Sequence, residues 1–275
     1  MIIKTLVENT SISKDFGSEH GLSFYIETNA HKILFDVGAS ELFLKNAKKL
    51  NVDISDIDYL IISHGHYDHG GGLRAFLREN TKAEVFLQHL AFENYYALRS
   101  NDKFDYIGLD ENLKHNRQIV LTSDRFFIGK GIQVFSNIIQ KESLPISNRS
   151  LFMEQNGQMV RDTFAHEQNL IIEEAGKMFL VTGCAHNGIV NILEQFNYLK
   201  GRMPDYVTGG FHLSGRSSES CENLETIDRI SKYLIDTNAK YYTCHCTGVE
   251  PYNSLKAIMG DRIDYLSAGS IINLK

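Results

Sequence analysis

The stretch Ser63-His64-Gly65-His66-Tyr67-Asp68-His69-Gly70-Gly71-Gly72 sets three imidazoles and a carboxylate within six residues, at His-x-His-x-Asp-His spacing. Near neutral pH these are metal-ligating groups, because a neutral imidazole offers a lone pair and the carboxylate is already ionised. Four such donors packed this closely repel one another or stay unpaired unless something cationic sits between them. A pair of divalent metal ions meets that need. The glycine run allows close backbone approach or opens the next helix, and needs no catalytic role.

Immediately upstream, residues 59–62 form a short apolar run that reads as a buried strand ending at His64. Three later histidines have the same setting, in Thr182-Gly183-Cys184-Ala185-His186-Asn187-Gly188, Thr208-Gly209-Gly210-Phe211-His212-Leu213 and Cys244-His245-Cys246-Thr247-Gly248. Each follows a short apolar strand and lies in a loop that carries glycine. Strand ends are where layered α/β folds bind ligands. Six of the eleven histidines therefore sit at four strand ends. A lone histidine of this kind is more often a surface or hydrogen-bonded core residue, but six in a shared pattern reverse that reading. His20 and His166 give weaker signals for pocket lining. His31, His89 and His115 read as structural or exposed.

Patterning elsewhere predicts strands over residues 2–7, 22–27, 32–37 and 83–87, with helices over 41–50 and 73–78. In the middle, a helix is expected over 91–99 and strands over 117–129 and 132–135. Residues 141–159 are polar and irregular, readable equally as a lid or as a mobile loop. The last third alternates: a hairpin of 169–174 and 177–182, helices over 189–199, 221–236 and 253–259, and strands over 206–208, 240–243 and 262–266. Two sheets with helices outside them follow, an α/β four-layer αββα sandwich. It is expected as one domain over 1–275, with an irregular insert or cap near 91–160. Tyr95, Tyr96, Arg99, Lys103 and Tyr106 fit a ring- and phosphate-binding cluster, but the blander account is an amphipathic helix with a solvated basic edge.

The chain has 275 residues, 43% of them apolar, which supports a sizeable core. Its net charge of −6 argues against a nucleic-acid binder, which needs a basic surface. No apolar stretch is long enough to span a membrane. The opening segment MIIKTLVENTSIS reads as a first strand and not as a signal peptide, so a cytoplasmic location is expected. The four cysteines, Cys184, Cys221, Cys244 and Cys246, form no CxxC pair. They read as small buried thiols at strand ends in preference to zinc thiolates.

Together these motifs resemble the metallo-β-lactamase superfamily, over nearly the whole chain. Ile33-Leu34-Phe35-Asp36-Val37-Gly38 is similar to that fold's strand ending in an aspartate. The pieces Gly209-Gly210-Phe211-His212-Leu213 and Cys244-His245-Cys246-Thr247-Gly248 narrow the likeness to the metal-dependent hydrolases grouped with archaeal dihydropterin-ribofuranosylaminobenzene-phosphate synthase. Asp162-Thr163-Phe164-Ala165-His166-Glu167-Gln168 also resembles a stretch of that branch, with no physical role evident. The resemblance implies two divalent metal ions, zinc foremost with manganese or iron as alternatives. His64, His66 and His186 would hold the first; Asp68, His69 and His245 the second. Most of the superfamily has an aspartate that bridges both metals after the strand that here ends Thr208-Gly209-Gly210-Phe211-His212, and this chain has none there. His212 stands in its place, as a second-metal ligand or a nearby proton donor. Losing an anionic ligand favours nitrogen-preferring ions such as zinc over magnesium.

The expected chemistry is hydrolysis of a small organic substrate, phosphorylated or not, by metal-bound hydroxide. Asp68 both binds metal and orients the nucleophile. Asp36 is expected to hold a ligand histidine or the loop carrying it. The alternatives are a pterin-type synthase releasing diphosphate, a nuclease, a redox di-iron site, and a non-enzymatic metal or ligand sensor. The expected partner is a small molecule, with no nucleic acid and no membrane; the sequence leaves the oligomeric state open.

Overall fold

Short runs of β-branched and aromatic residues build two seven-stranded sheets in the computed structural model, which describes residues 1–215 and 221–274. The first sheet contains β1 (Ile2–Val7), β2 (Ser23–Glu27), β3 (Lys32–Phe35), β4 (Tyr59–Ile61), β5 (Glu84–Gln88), β8 (Ile119–Thr122) and β18 (Ile271–Asn273). Their order is β18-β1-β2-β3-β4-β5-β8, antiparallel up to β3 and parallel from β3 to β8. The second sheet contains β9 (Arg125–Gly129), β10 (Ile132–Phe135), β13 (Asn169–Glu174), β14 (Lys177–Val181), β15 (Tyr206–Gly209), β16 (Lys240–Thr243) and β17 (Ile263–Tyr265). It runs β17-β16-β15-β14-β13-β10-β9, with the parallel half from β14 to β17.

Three apolar layers make this the expected four-layer sandwich. Ile3, Phe24, Ile33, Phe35 and Ile61 of the first sheet pack against Ile132, Val134, Leu170, Ile172 and Val181 of the second. The outer face of the first sheet is covered by α1 (Leu42–Lys49) and α3 (Leu73–Glu79), through Phe43, Ala47, Leu73 and Phe76. That of the second is covered by α4 (Ile189–Lys200), α5 (Leu224–Asp236) and α6 (Val249–Met259). Burying a side chain such as Phe76 or Phe196 stabilises the fold by about 1.5–3 kcal/mol. Among the described residues no helix is long and apolar enough to cross a membrane.

Four expectations need correction. The expected helix over 91–99 is instead strand β6 (Tyr95–Leu98), because Tyr95 and Tyr96 pair with Met153 and Phe152 of a neighbouring strand. The expected strand over 117–129 is broken at Ser123-Asp124 into β8 and β9, which join different sheets. The supposedly irregular 141–159 holds a single 3-10 turn, Ile146–Ser150, and most of a hairpin of β11 (Leu151–Gln155) and β12 (Gln158–Arg161). Its turn is Asn156-Gly157, both with positive φ (53° and 75°), as a two-residue hairpin turn requires. With β7 (Phe104–Tyr106), these strands form a third sheet in the order β12-β11-β6-β7. Finally, the chain does not end its sheets at 262–266: β18 returns to pair with β1.

Candidate metal centre

Every motif histidine lies beyond the C-terminal end of a parallel strand. Strand β4 leads to His64, β14 to His186, β15 to His212 and β16 to His245; Asp36 follows β3. His66 precedes, and Asp68 and His69 lie within, a one-turn helix, α2 (Tyr67–Gly70). Gly71, just after it, has no room for a side chain, since a Cβ there would sit 2.4 Å from Ala39 O. At β15, Gly209 has φ +139° and passes so close to Thr182 O that a Cβ would lie 2.1 Å away. These contacts pull the loops together at one edge.

Two groups of donors result. His64, His66 and His186 bring donor atoms within 4.8 Å of one another, with His64 Nε2 and His186 Nε2 at 3.3 Å. In the other group, His69 Nε2 lies 3.2 Å from His245 Nε2, and Asp68 Oδ2 is 3.4 Å from His245 Nε2 and 3.7 Å from His69 Nε2. Ligands about 2.05 Å from a tetrahedral ion are about 3.3 Å apart, so these separations suit a shared ion.

Hydrogen bonds fix which nitrogen faces inward. His69 Nδ1 is 2.6 Å from Asp36 Oδ2, His186 Nδ1 is 2.9 Å from Asn148 Oδ1, and His245 Nδ1 is 2.8 Å from Asn9 Oδ1. Each partner atom is an acceptor, so each Nδ1 carries a proton, and a neutral ring then keeps its lone pair on Nε2. Ser63 Oγ donates to Asp36 Oδ2 at 2.8 Å and is therefore left to accept from His64 Nδ1 at 2.9 Å. Asp36 also accepts from Ser63 N at 2.7 Å, so it holds His69 and the loop carrying His64, as expected. His66 Nε2 and both ring nitrogens of His212 are buried with no hydrogen-bond partner among the described residues. His212 packs on His186, ring centroids 4.1 Å apart.

The electrostatics agree. Burial, then neighbouring histidines, push His64 and His186 well below the usual histidine range, so both are neutral. Burial lowers His212 to about 3 and His245 to about 4. His69 runs the other way: burial alone would lower its pKa, but Asp36 and Asp68 outweigh it and raise it. Without a cation, a proton on His69 takes a cation's place between the carboxylates. Burial pushes the Cys184 thiol, 3.2 Å from His69 Nε2, well up.

Residues that sequence reasoning left without a role complete the centre. In the segment 162–168, Asp162 accepts from Phe164 N at 2.7 Å and meets His166 Nε2 at 3.1 Å. His166 Nδ1 accepts from Gly65 N at 2.9 Å, so both its nitrogens are used and it braces the loop of His64 and His66. Glu167 accepts from His186 N (2.6 Å) and Asn187 N (3.0 Å). Gln168 donates to Ile62 O and Phe86 O, tying together the ends of β4 and β5. Glu8 accepts from His245 N at 2.7 Å. His20, half exposed, reaches Asp68 Oδ2 at 3.2 Å. The centre opens into a cavity of about 850 Å³ whose lining includes His20, His66, His212 and, from the third sheet, Ala97 and Leu151. His89 meets Gln88 and, on the neighbouring strand β8, Thr122 O, and His31 lies by Asp58; neither belongs to the two donor groups. Arg99 lines the cavity but is paired with Asp105 at 2.7 Å.

The sandwich with a histidine-rich edge at its strand ends defines the class: the chain belongs to the metallo-beta-lactamase superfamily. That superfamily's model matches residues 17–133. Two proteins of Methanocaldococcus jannaschii align almost end to end. One, uncharacterized, is 31% identical over 281 residues, 99% of this chain and 100% of its own length. The other, 7,8-dihydropterin-6-methyl-4-(beta-D-ribofuranosyl)-aminobenzene-5'-phosphate synthase, is 31% identical over 287 residues, 98% of this chain and 95% of its own length. A crystal structure described as a metal-dependent hydrolase of the beta-lactamase superfamily superimposes with a TM-score of 0.83 at 31% identity, covering 100% of this chain and 99% of that one. The fold is thus that of a metallo-hydrolase-type enzyme.

Proposed function

We propose that the protein is a metal-dependent hydrolase of a small organic substrate. One observation carries this reading: the buried, neutral imidazoles of His64 and His186, each with its Nδ1 proton held by a neighbour, turn bare Nε2 atoms toward each other at 3.3 Å. Two bare lone pairs form no hydrogen bond, so this arrangement is favourable only around a cation. His64, His66 and His186 would hold one divalent ion, and Asp68, His69 and His245 a second, with His212 beside His186. A donor set this rich in imidazole favours zinc, with manganese or iron as alternatives. Ions held there would polarise a carbonyl or phosphoryl oxygen and lower the pKa of a coordinated water to about 7.

The protein's own groups do the rest. Asp36, Asn148 and Asn9 hold the protons on the outer nitrogens of His69, His186 and His245, which keeps the inner lone pairs available. Asp68 would also orient a coordinated water, and His20, half exposed on the cavity wall, lies 3.2 Å from Asp68 Oδ2. A cavity of about 850 Å³ suits a drug-sized molecule better than a polymer. The net charge of −6 argues against nucleic acid as the substrate.

The test pairs activity with composition. Hydrolysis of small esters, lactones or phosphate esters should vanish on chelation and return with zinc. His64→Ala should lose most of the metal held by the first trio, measured by elemental analysis; unchanged stoichiometry would refute that ligand set. A second reading, a synthase that joins a pterin-type diphosphate to an aminobenzene, has the support of the 31% identical synthase. Diphosphate release that requires the aminobenzene acceptor would favour it over hydrolysis.

A further inference from the structure

We propose that Cys184 Sγ is itself a ligand of this centre and supplies the anion that the end of β15 lacks. The proposal rests on the metal-centre reading above and goes beyond it.

Position carries the argument. A donor atom of Cys184 lies within 4.8 Å of donors from His64 and His69, from His186 and His212, and from His245 and Cys246. It therefore reaches members of both trios, which a ligand to one ion alone need not do. Its sulfur is 3.2 Å from His69 Nε2, and the His69 Nδ1 proton is already engaged by Asp36. On the same side His212, 8% exposed, has two ring nitrogens with no partner among the described residues and groups with Cys184 and His186. A polar ring buried this way needs something to bind.

Charge adds a second argument. The two trios contain one carboxylate, Asp68, against two dications. A thiolate adds the missing negative charge, and soft sulfur suits zinc better than magnesium. As the metal–sulfur bond forms, the thiol proton leaves to solvent. The other described cysteines have different surroundings. Cys244 is packed among apolar residues between the two sheets. Cys246 Sγ donates to Cys184 O at 3.3 Å and so helps fix the Cys184 loop.

X-ray absorption spectroscopy of the zinc-loaded full chain tests this without reference to turnover. The expected spectrum has a sulfur scatterer at about 2.3 Å beside nitrogen and oxygen scatterers at about 2.0–2.2 Å. Cys184→Ser should lose the sulfur scatterer and Cys246→Ser should keep it. Zinc-loaded wild-type protein with only nitrogen and oxygen scatterers overturns the thiolate and leaves the metal centre standing. A sulfur scatterer lost in Cys246→Ser but retained in Cys184→Ser also overturns it. Protein that takes up no zinc overturns both readings.

Discussion

Asp36 decides which nitrogen of His69 is available, because it holds the Nδ1 proton at 2.6 Å in a fully buried setting. Replacing it by Asn removes the charge and lets the amide present a donor to that nitrogen. Asp36→Asn should therefore weaken zinc binding by about 10–100-fold. Competition with a chromophoric chelator measures this, and unchanged affinity would contradict the role. At this scale the inward-facing residues were legible and their supports were not. His64, His186 and His245 each sit in a strand-end motif that local sequence reveals. Asn9 lies 236 residues from the His245 it orients, and Asn148 lies 38 residues from His186. No spacing rule connects such pairs; only the fold brings them together. The sequence signal of His20 is weak for the same reason, since only the fold brings it to Asp68.

The loops that present the site share a backbone feature. Asp36, Ala185, His212 and His245 all have positive φ, between 51° and 59°. Non-glycine residues rarely adopt this conformation, at a cost of order 1–3 kcal/mol each, and it persists only where surrounding contacts over-determine it. The segment 162–168 supplies such contacts to the loop that carries Ala185 and His186. Glu167, buried beneath the His186 loop, accepts three hydrogen bonds from His186 and Asn187. Glu167→Gln replaces one acceptor oxygen with a donor and should cost about 1–3 kcal/mol. Urea unfolding should show a lower midpoint at unchanged slope; an unaltered midpoint would show that the clamp carries no load. The segment's likeness to related sequences was visible, but its bracing role depends on partners in other elements. The β11–β12 hairpin was readable from Asn156-Gly157. Polar neighbours (Glu154, Gln155 and Gln158) hid its alternation, and aromatic residues at 95–96 resembled a helix face as much as a strand.

Across the whole molecule, folding, metal and pH are linked. His212 and His245 have folded pKa values of about 3 and 4, and His64 and His186 are also depressed, all through burial first. As pH falls below the unfolded value of about 6.5, the unfolded chain takes up these protons before the folded one does. Their contribution to stability is thus complete above about pH 6.5 and is lost toward pH 3–4. His69, with its raised pKa, acts in the opposite direction, but it is one residue against four. Metal-free protein should lose up to about 2 kcal/mol per depressed histidine between pH 6.5 and 5. A urea midpoint that stays constant over that range would contradict neutral buried imidazoles. Bound metal stabilises by mass action, about 2.7 kcal/mol at a hundredfold excess over Kd. The sandwich itself was legible because each strand end carried its own motif; the third sheet over the cavity carried none. The most direct test of the central claim is anomalous diffraction at the zinc edge from crystals of the metal-loaded protein. Two peaks should appear, one among His64, His66 and His186 and one among Asp68, His69 and His245. Absence of peaks at these clusters, or density confined to surface carboxylates, would contradict it.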